Sequence, residues 1–110
     1  MIMSKFEKKA SELLARVQSL IEAFELCKGT SGWPDYYDAP SEILTQYPGL
    51  LLDVQTLIFI DSPEMPLYSK VHKLEERLGE RLGGSYSEFI SLRDILSRYI
   101  EYRAFLEAEN

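Results

Sequence analysis

Few residues in this 110-residue chain have the type and spacing to do chemistry. His72 is the only histidine, set between Val71 and Lys73 in a segment of helical pattern. Neither a second His nor a Cys lies near it to share a metal ion, and no nucleophile is tied to it. It reads as an exposed or half-exposed helix residue. Carboxylates are plentiful, but acid–base catalysis needs a pair whose surroundings push their pKa values apart, which spacing alone does not create. The glycines of "GERLGG" lack both the spacing and the Lys-Ser/Thr of a phosphate-binding loop, so this stretch reads as a helix end. Cys27 is alone, which excludes an intrachain disulfide and makes it a small core or boundary residue. No catalytic, metal or cofactor-binding residue is assigned, and an enzyme is not expected.

Charge supplies the next signal. The net charge is -6 and is unevenly placed. From Met1 to Lys28 five basic residues face four acids, and from Lys70 to Asn110 seven face eight. Between them, Gly29 to Ser69 contains no Lys or Arg, only Asp35, Asp38, Glu42, Asp53, Asp61 and Glu64. Such a field repels nucleic acid and attracts basic partners. Lys70, Lys73, Arg77 and Arg81 form a row along one edge of a helical segment. A ridge of that kind can bind anions or nucleic acid. With the surroundings negative, it is read instead as a solvated face paired with Glu76 and Glu80, or with the acidic middle of the chain.

At the head of that acidic middle stands "GTSGWPDYYDAP", Gly29 to Pro40, which holds the only tryptophan and two adjacent tyrosines. Trp and Tyr give large contact area at low entropic cost, and aspartates beside them can engage Arg or Lys. Trp33 before Pro34 either plugs one end of the fold or joins this surface. Tyr36 and Tyr37 are adjacent and point in different directions, so at least one is expected to face solvent. The partner-binding set read from the sequence is Trp33, Asp35, Tyr36, Tyr37, Asp38, Glu42, Asp61 and Glu64.

In its "DYYD" and its small acidic helical character, the chain resembles the immunity proteins that bacteria make against their own nuclease toxins, including the nuclease-colicin immunity family. The resemblance implies an inhibitor that offers carboxylates and tyrosines to a basic enzyme. In that family an acid precedes the Tyr pair by several residues and a Pro follows it; here Asp35 is adjacent and Asp38 follows.

The elements that must position these residues are helical. From about Ser4 to Lys28, apolar residues from Phe6 to Cys27 recur at helical spacing, with Ser4 and Glu7 as a capping box and Gly29 as the stop. "SEILTQY" starts a short helix at Ser41, and Pro48 either kinks it or opens a second helix through Ile60. The second piece is apolar nearly all round and is expected at the centre of the core. Its "TLIFI" could form a strand, but no comparable strand exists to pair with it, which favours helix. Asp61 or Ser62 caps the next helix, with Pro63 or Pro66 in its first turn. Leu67, Val71, Leu74, Leu78 and Leu82 form its stripe, and Gly83-Gly84 stops it. Ser85 caps a last helix through about Ala108, with Asp94, Arg98 and Glu101 supporting its polar side. The expected fold is all-α: one domain, a compact bundle of four to five helices with an aromatic acidic loop after the first.

The N-terminus has no signal-peptide pattern, and "GLLLDVQTLIFI" falls short of the roughly 20 apolar residues that span a bilayer. The expected setting is cytoplasmic, with no membrane and no nucleic acid as partner. Two functions remain open. One is a protein-binding inhibitor, of immunity or antitoxin type, that docks its acidic tyrosine-bearing surface onto a basic partner. The other is an assembly module, such as a secretion chaperone or phage accessory subunit, which oligomerises through apolar helix faces. Ile95, Tyr102 and Phe105 extend the last helix's apolar face beyond one stripe and motivate the second.

Overall fold

The computed structural model describes residues 5–27 and 40–108, with side chains through Leu106. All elements among these residues are helices: α1 Lys5–Leu26, α2 Ser41–Leu44, α3 Tyr47–Asp61, α4 Pro66–Leu78 and α5 Tyr86–Ala108. The four long helices close a ring, since α1 packs on α3, α3 on α4, α4 on α5, and α5 back on α1. Their directions alternate. Phe6 near the start of α1 meets Arg103 near the end of α5, whereas Phe24 near the end of α1 meets Tyr86 and Phe89 at the start of α5. This is the up-and-down arrangement that short connections favour.

One buried cluster fills the ring. α1 contributes Ala10, Leu13, Val17, Ile21 and Phe24, spaced three or four apart so that they share one face. α5 contributes Phe89, Leu92, Ile95, Leu96 and Tyr99. At one end of the bundle the Phe24, Tyr47 and Phe89 rings meet at centroid distances of 5.2 Å, within the range favoured by tilted aromatic pairs. The other end is polar. There the Tyr99 hydroxyl donates to Asp61 Oδ2 at 2.5 Å and Arg103 Nη1 donates to Asp61 Oδ1 at 3.1 Å, while the same guanidinium lies 5.3 Å from the Phe6 ring centre.

"TLIFI" is helical, and Pro48 lies in the first turn of a second helix, separated from α2 by Thr45 and Gln46. The expectation that this helix occupies the centre of the core is corrected. Leu50, Leu51, Val54, Leu57 and Ile58 face inward, but Leu52, Phe59 and Ile60 are 61%, 55% and 65% exposed. A helix at the corner of a four-helix ring has neighbours on two sides only, so an all-round apolar sequence must leave one face uncovered. By length and composition Ser41–Asp61 could cross a membrane, contrary to the reading of too short an apolar run. In the fold it is broken after α2, and α3, at 15 residues, spans about 22 Å against a hydrocarbon core of about 30 Å.

The next helix differs at both ends from the sequence expectation. Its N-cap is Met65 rather than Asp61 or Ser62, with Pro66 in the first turn; Asp61 ends α3, and Ser62 is its C-cap. It stops at Leu78, not at Gly83-Gly84, because Gly79 takes a positive φ of 54° that turns the chain out of the helix. Leu82 therefore leaves the stripe and is 83% exposed.

Gly83 and Gly84 serve a close approach instead. A Cβ on Gly84 would collide with the Tyr47 ring and one on Gly83 with the Leu44 carbonyl, and Gly84 N–H donates to Leu44 O at 3.0 Å. The expected N-cap of α1, Ser4, and its expected stop, Gly29, lie outside the described residues.

Ser85 caps α5 as expected, and Glu88 completes a capping box. Glu88 Oε1 accepts from Ser85 N–H at 3.0 Å, and Ser85 Oγ accepts from Glu88 N–H at 3.4 Å. Arg81 grips the same carboxylate with two nitrogens, at 3.0 and 2.7 Å, while donating to the Arg77 and Leu78 carbonyls at the end of α4. One guanidinium thus joins the C-terminus of α4 to the N-terminus of α5. Burial alone would raise the Glu88 carboxyl, but the bonds from Arg81 and from Ser85 N–H and hydroxyl outweigh it and hold the group below its ordinary value.

Candidate interaction surface

Trp33, Asp35, Tyr36, Tyr37 and Asp38 lie outside the described residues. The chain leaves the described structure at Cys27, which is half-buried just beyond α1, and returns at Pro40. Both flanks belong to the aromatic end of the bundle, near Phe24 and Tyr47. Glu42, on the single turn of α2, is exposed close to that end. Glu64, in the turn after α3, is exposed at the opposite end. The length of α3, about 22 Å, therefore separates the described acids of the sequence-derived set.

Asp61 shares the polar end with Glu64 but faces inward. Its side chain is only 9% exposed and is engaged by both Tyr99 and Arg103. It ties the end of α3 to α5. Burial, followed by the bond to Asp61, pushes the Tyr99 hydroxyl well above the ordinary tyrosine range and keeps it protonated as the donor.

Between the two ends runs the outward face of α3. Leu52, Thr56 and Phe59 fall at i, i+4 and i+7 and share one side, with Ile60 beside them. Tyr68 of α4 extends this face, its ring 5.8 Å from that of Phe59. Leu52, Gln55, Thr56, Phe59 and Tyr68 line a shallow groove of about 300 Å³ between α3 and α4 that carries no charged side chain. Asp53, half exposed, flanks it, with Arg16 of α1 at 3.9 Å, a distance and exposure at which an ion pair contributes little. From Pro40 to Ser69 the described chain holds four acids and no base; of these acids Asp61 is bonded to Arg103 and Asp53 lies beside Arg16.

All-round apolarity in the sequence points to burial and so conceals this face. The signal that marks it is the interruption of the apolar run by Asp53, Gln55 and Thr56 on the side of Leu52 and Phe59. On α5, Ile95 is in the core and Tyr102 is half-buried against it, leaving Phe105 as the exposed member of that trio, 65% exposed.

The groups weighed for chemistry are dispersed. His72 is exposed and its Nε2 lies 3.2 Å from Glu76 on its own helix. Among the described residues no three His, Cys, Asp or Glu side chains converge as metal ligands. Asp94 bonds Arg93 at 3.2 Å rather than Arg98, its expected partner. Comparison with protein-family models, with curated proteins and with solved structures finds no match. The resemblance to immunity proteins consequently rests on Asp35–Asp38 and on charge alone.

Proposed function

We propose that the protein is a protein-binding module that docks an acidic surface with an apolar centre onto a basic partner, most concretely an inhibitor of immunity or antitoxin type. The observation that carries the reading is the exposed Leu52, Phe59 and Ile60 on α3 inside a stretch with no Lys or Arg. Exposed apolar side chains in contiguity mark contact surfaces, and the surrounding carboxylates steer a basic protein toward them. Glu42 and Glu64 stand at the two ends of the face, and Asp35, Tyr36, Tyr37 and Asp38 belong to the same acidic segment.

Affinity capture from the source cell, followed by titration of the captured protein, tests this. A basic protein whose binding weakens with salt and is lost in Leu52→Ser/Phe59→Ser and in the Asp35, Tyr36, Tyr37, Asp38→Ala variant supports the reading. Capture unaffected by both sets sinks it.

The assembly reading draws on the same α3 face and on Phe105. It expects a salt-insensitive homo-oligomer in analytical ultracentrifugation, where the inhibitor reading expects a monomer. A catalytic activity lost on His72→Ala would count against both readings.

A further inference from the structure

On the other side of α4, facing α5, lies a groove of opposite character. Lys70, Lys73 and Arg77 follow one another at i, i+3 and i+7 along its α4 wall, and Arg98 stands on the α5 wall. A rise of seven residues, about 10 Å of helix, separates the first of these three cations from the last. Leu74 and Ile95, both nearly buried, form the floor of a cleft of about 300 Å³. The single acid on the walls, Asp94, is bonded to Arg93.

Among the described residues the row does not form the pairing expected of it with Glu76, Glu80 or the acidic middle segment. Among the described residues no carboxylate lies within ion-pair distance of Lys70, Lys73, Arg77 or Arg98. Glu76 turns to His72, and Arg81 leaves the row for Glu88. Four cations therefore face one another across an apolar floor in a protein whose net charge is -6. Like charges gathered in this way repel, and an anionic ligand relieves that repulsion.

We propose that the α4/α5 groove binds an acidic peptide segment of a partner protein, with apolar side chains seated on Leu74 and Ile95 and carboxylates reaching Lys70, Lys73, Arg77 and Arg98. A helix-length row of cations beside an apolar floor matches an amphipathic acidic segment. Nucleic acid fits less well. No aromatic ring lines the groove to stack a base, and the rest of the molecule repels a polyphosphate backbone. Nor does any helix N-terminus among the lining residues offer backbone N–H groups to a lone phosphate. The site is distinct from the α3 face and places a second specificity, of different character, on the neighbouring side of the bundle.

Fluorescence anisotropy with a labelled amphipathic Glu/Leu peptide tests the site on the full chain. The peptide is expected to bind, more weakly as NaCl is added, with affinity reduced about tenfold or more in Lys73→Glu/Arg77→Glu. A peptide with Leu replaced by Ser should bind more weakly, and Leu52→Ser/Phe59→Ser should bind normally. Both altered protein pairs are exposed, and an unchanged melting temperature verifies that each variant is folded. Absent peptide binding, equal binding by the charge-reversed protein, equal binding of the Ser peptide, tighter binding of a single-stranded oligonucleotide, or displacement by inorganic phosphate at the peptide's own concentration would overturn the proposal.

Discussion

Tyr47 and Gly84 show how much of this fold depends on single atoms. The Tyr47 ring is fully buried among Phe89 and the backbone of Gly84, and its hydroxyl has no hydrogen-bond partner among the described residues. Burial, then the nearby Glu88 carboxylate, raises this hydroxyl far above the ordinary tyrosine range. Tyr47→Phe removes a desolvated group without changing the ring, and urea denaturation should find stability unchanged or raised by up to about 1 kcal/mol. A clear loss would reveal a partner for the hydroxyl. Gly84→Ala has the opposite sign. Its methyl would enter the Tyr47 ring while the backbone is held by the bond to Leu44, and the expected cost is about 1–3 kcal/mol. In sequence Gly83-Gly84 looks like a helix stop; only the approach of a residue far along the chain reveals why side chains are excluded there.

At the scale of elements, the α4–α5 corner concentrates its electrostatics on Glu88. Its folded value lies below its ordinary value of 4.5. The stability it contributes is fully present above that pH and is lost as pH falls through the folded value. Chemical denaturation as a function of pH should therefore show wild type losing stability more steeply below about pH 4.5 than Glu88→Gln, which has no proton to take up there. Parallel curves would remove Glu88 from the acid response. Ser85 was legible as a cap from its place before an apolar-periodic run. Arg81 was not, since its local pattern set it in a row with Lys70, Lys73 and Arg77. The positive φ of Gly79 ends α4 early and turns Arg81 back toward the helix end and across to Glu88.

At the scale of the whole molecule, α3 separates what holds the bundle together from what the bundle presents. Leu51 is buried and Leu52, its neighbour in the chain, is 61% exposed. Leu51→Ala should cost about 2–5 kcal/mol in thermal or urea unfolding, whereas Leu52→Ala should stay within about 0.5 kcal/mol. Comparable losses from the two would place α3 in the core and withdraw the docking face. If the difference holds, Leu52→Ala becomes a probe of binding unconfounded by folding. With α4 shared between them, the uncharged apolar face toward α3 and the basic groove toward α5 give the surface two neighbouring sides of different character.

Sequence alone determined the helical elements, because apolar spacing of three and four is a local property that each segment carries independently of the others. It determined the acidic middle segment for the same reason, charge being a matter of composition. For "TLIFI" it favoured helix over strand by an argument of pairing, and the helix is what the fold contains. Tertiary structure alone decided which side of α3 faces solvent, because a helix apolar all round offers no internal preference and its neighbours α1 and α4 select the buried side. It likewise turned Asp61 inward, onto Tyr99 and Arg103, and divided the basic row between a corner lock at Arg81 and an open groove at Lys70, Lys73 and Arg77. Those outcomes depend on which side chains meet across helices, and spacing along one helix does not contain that information.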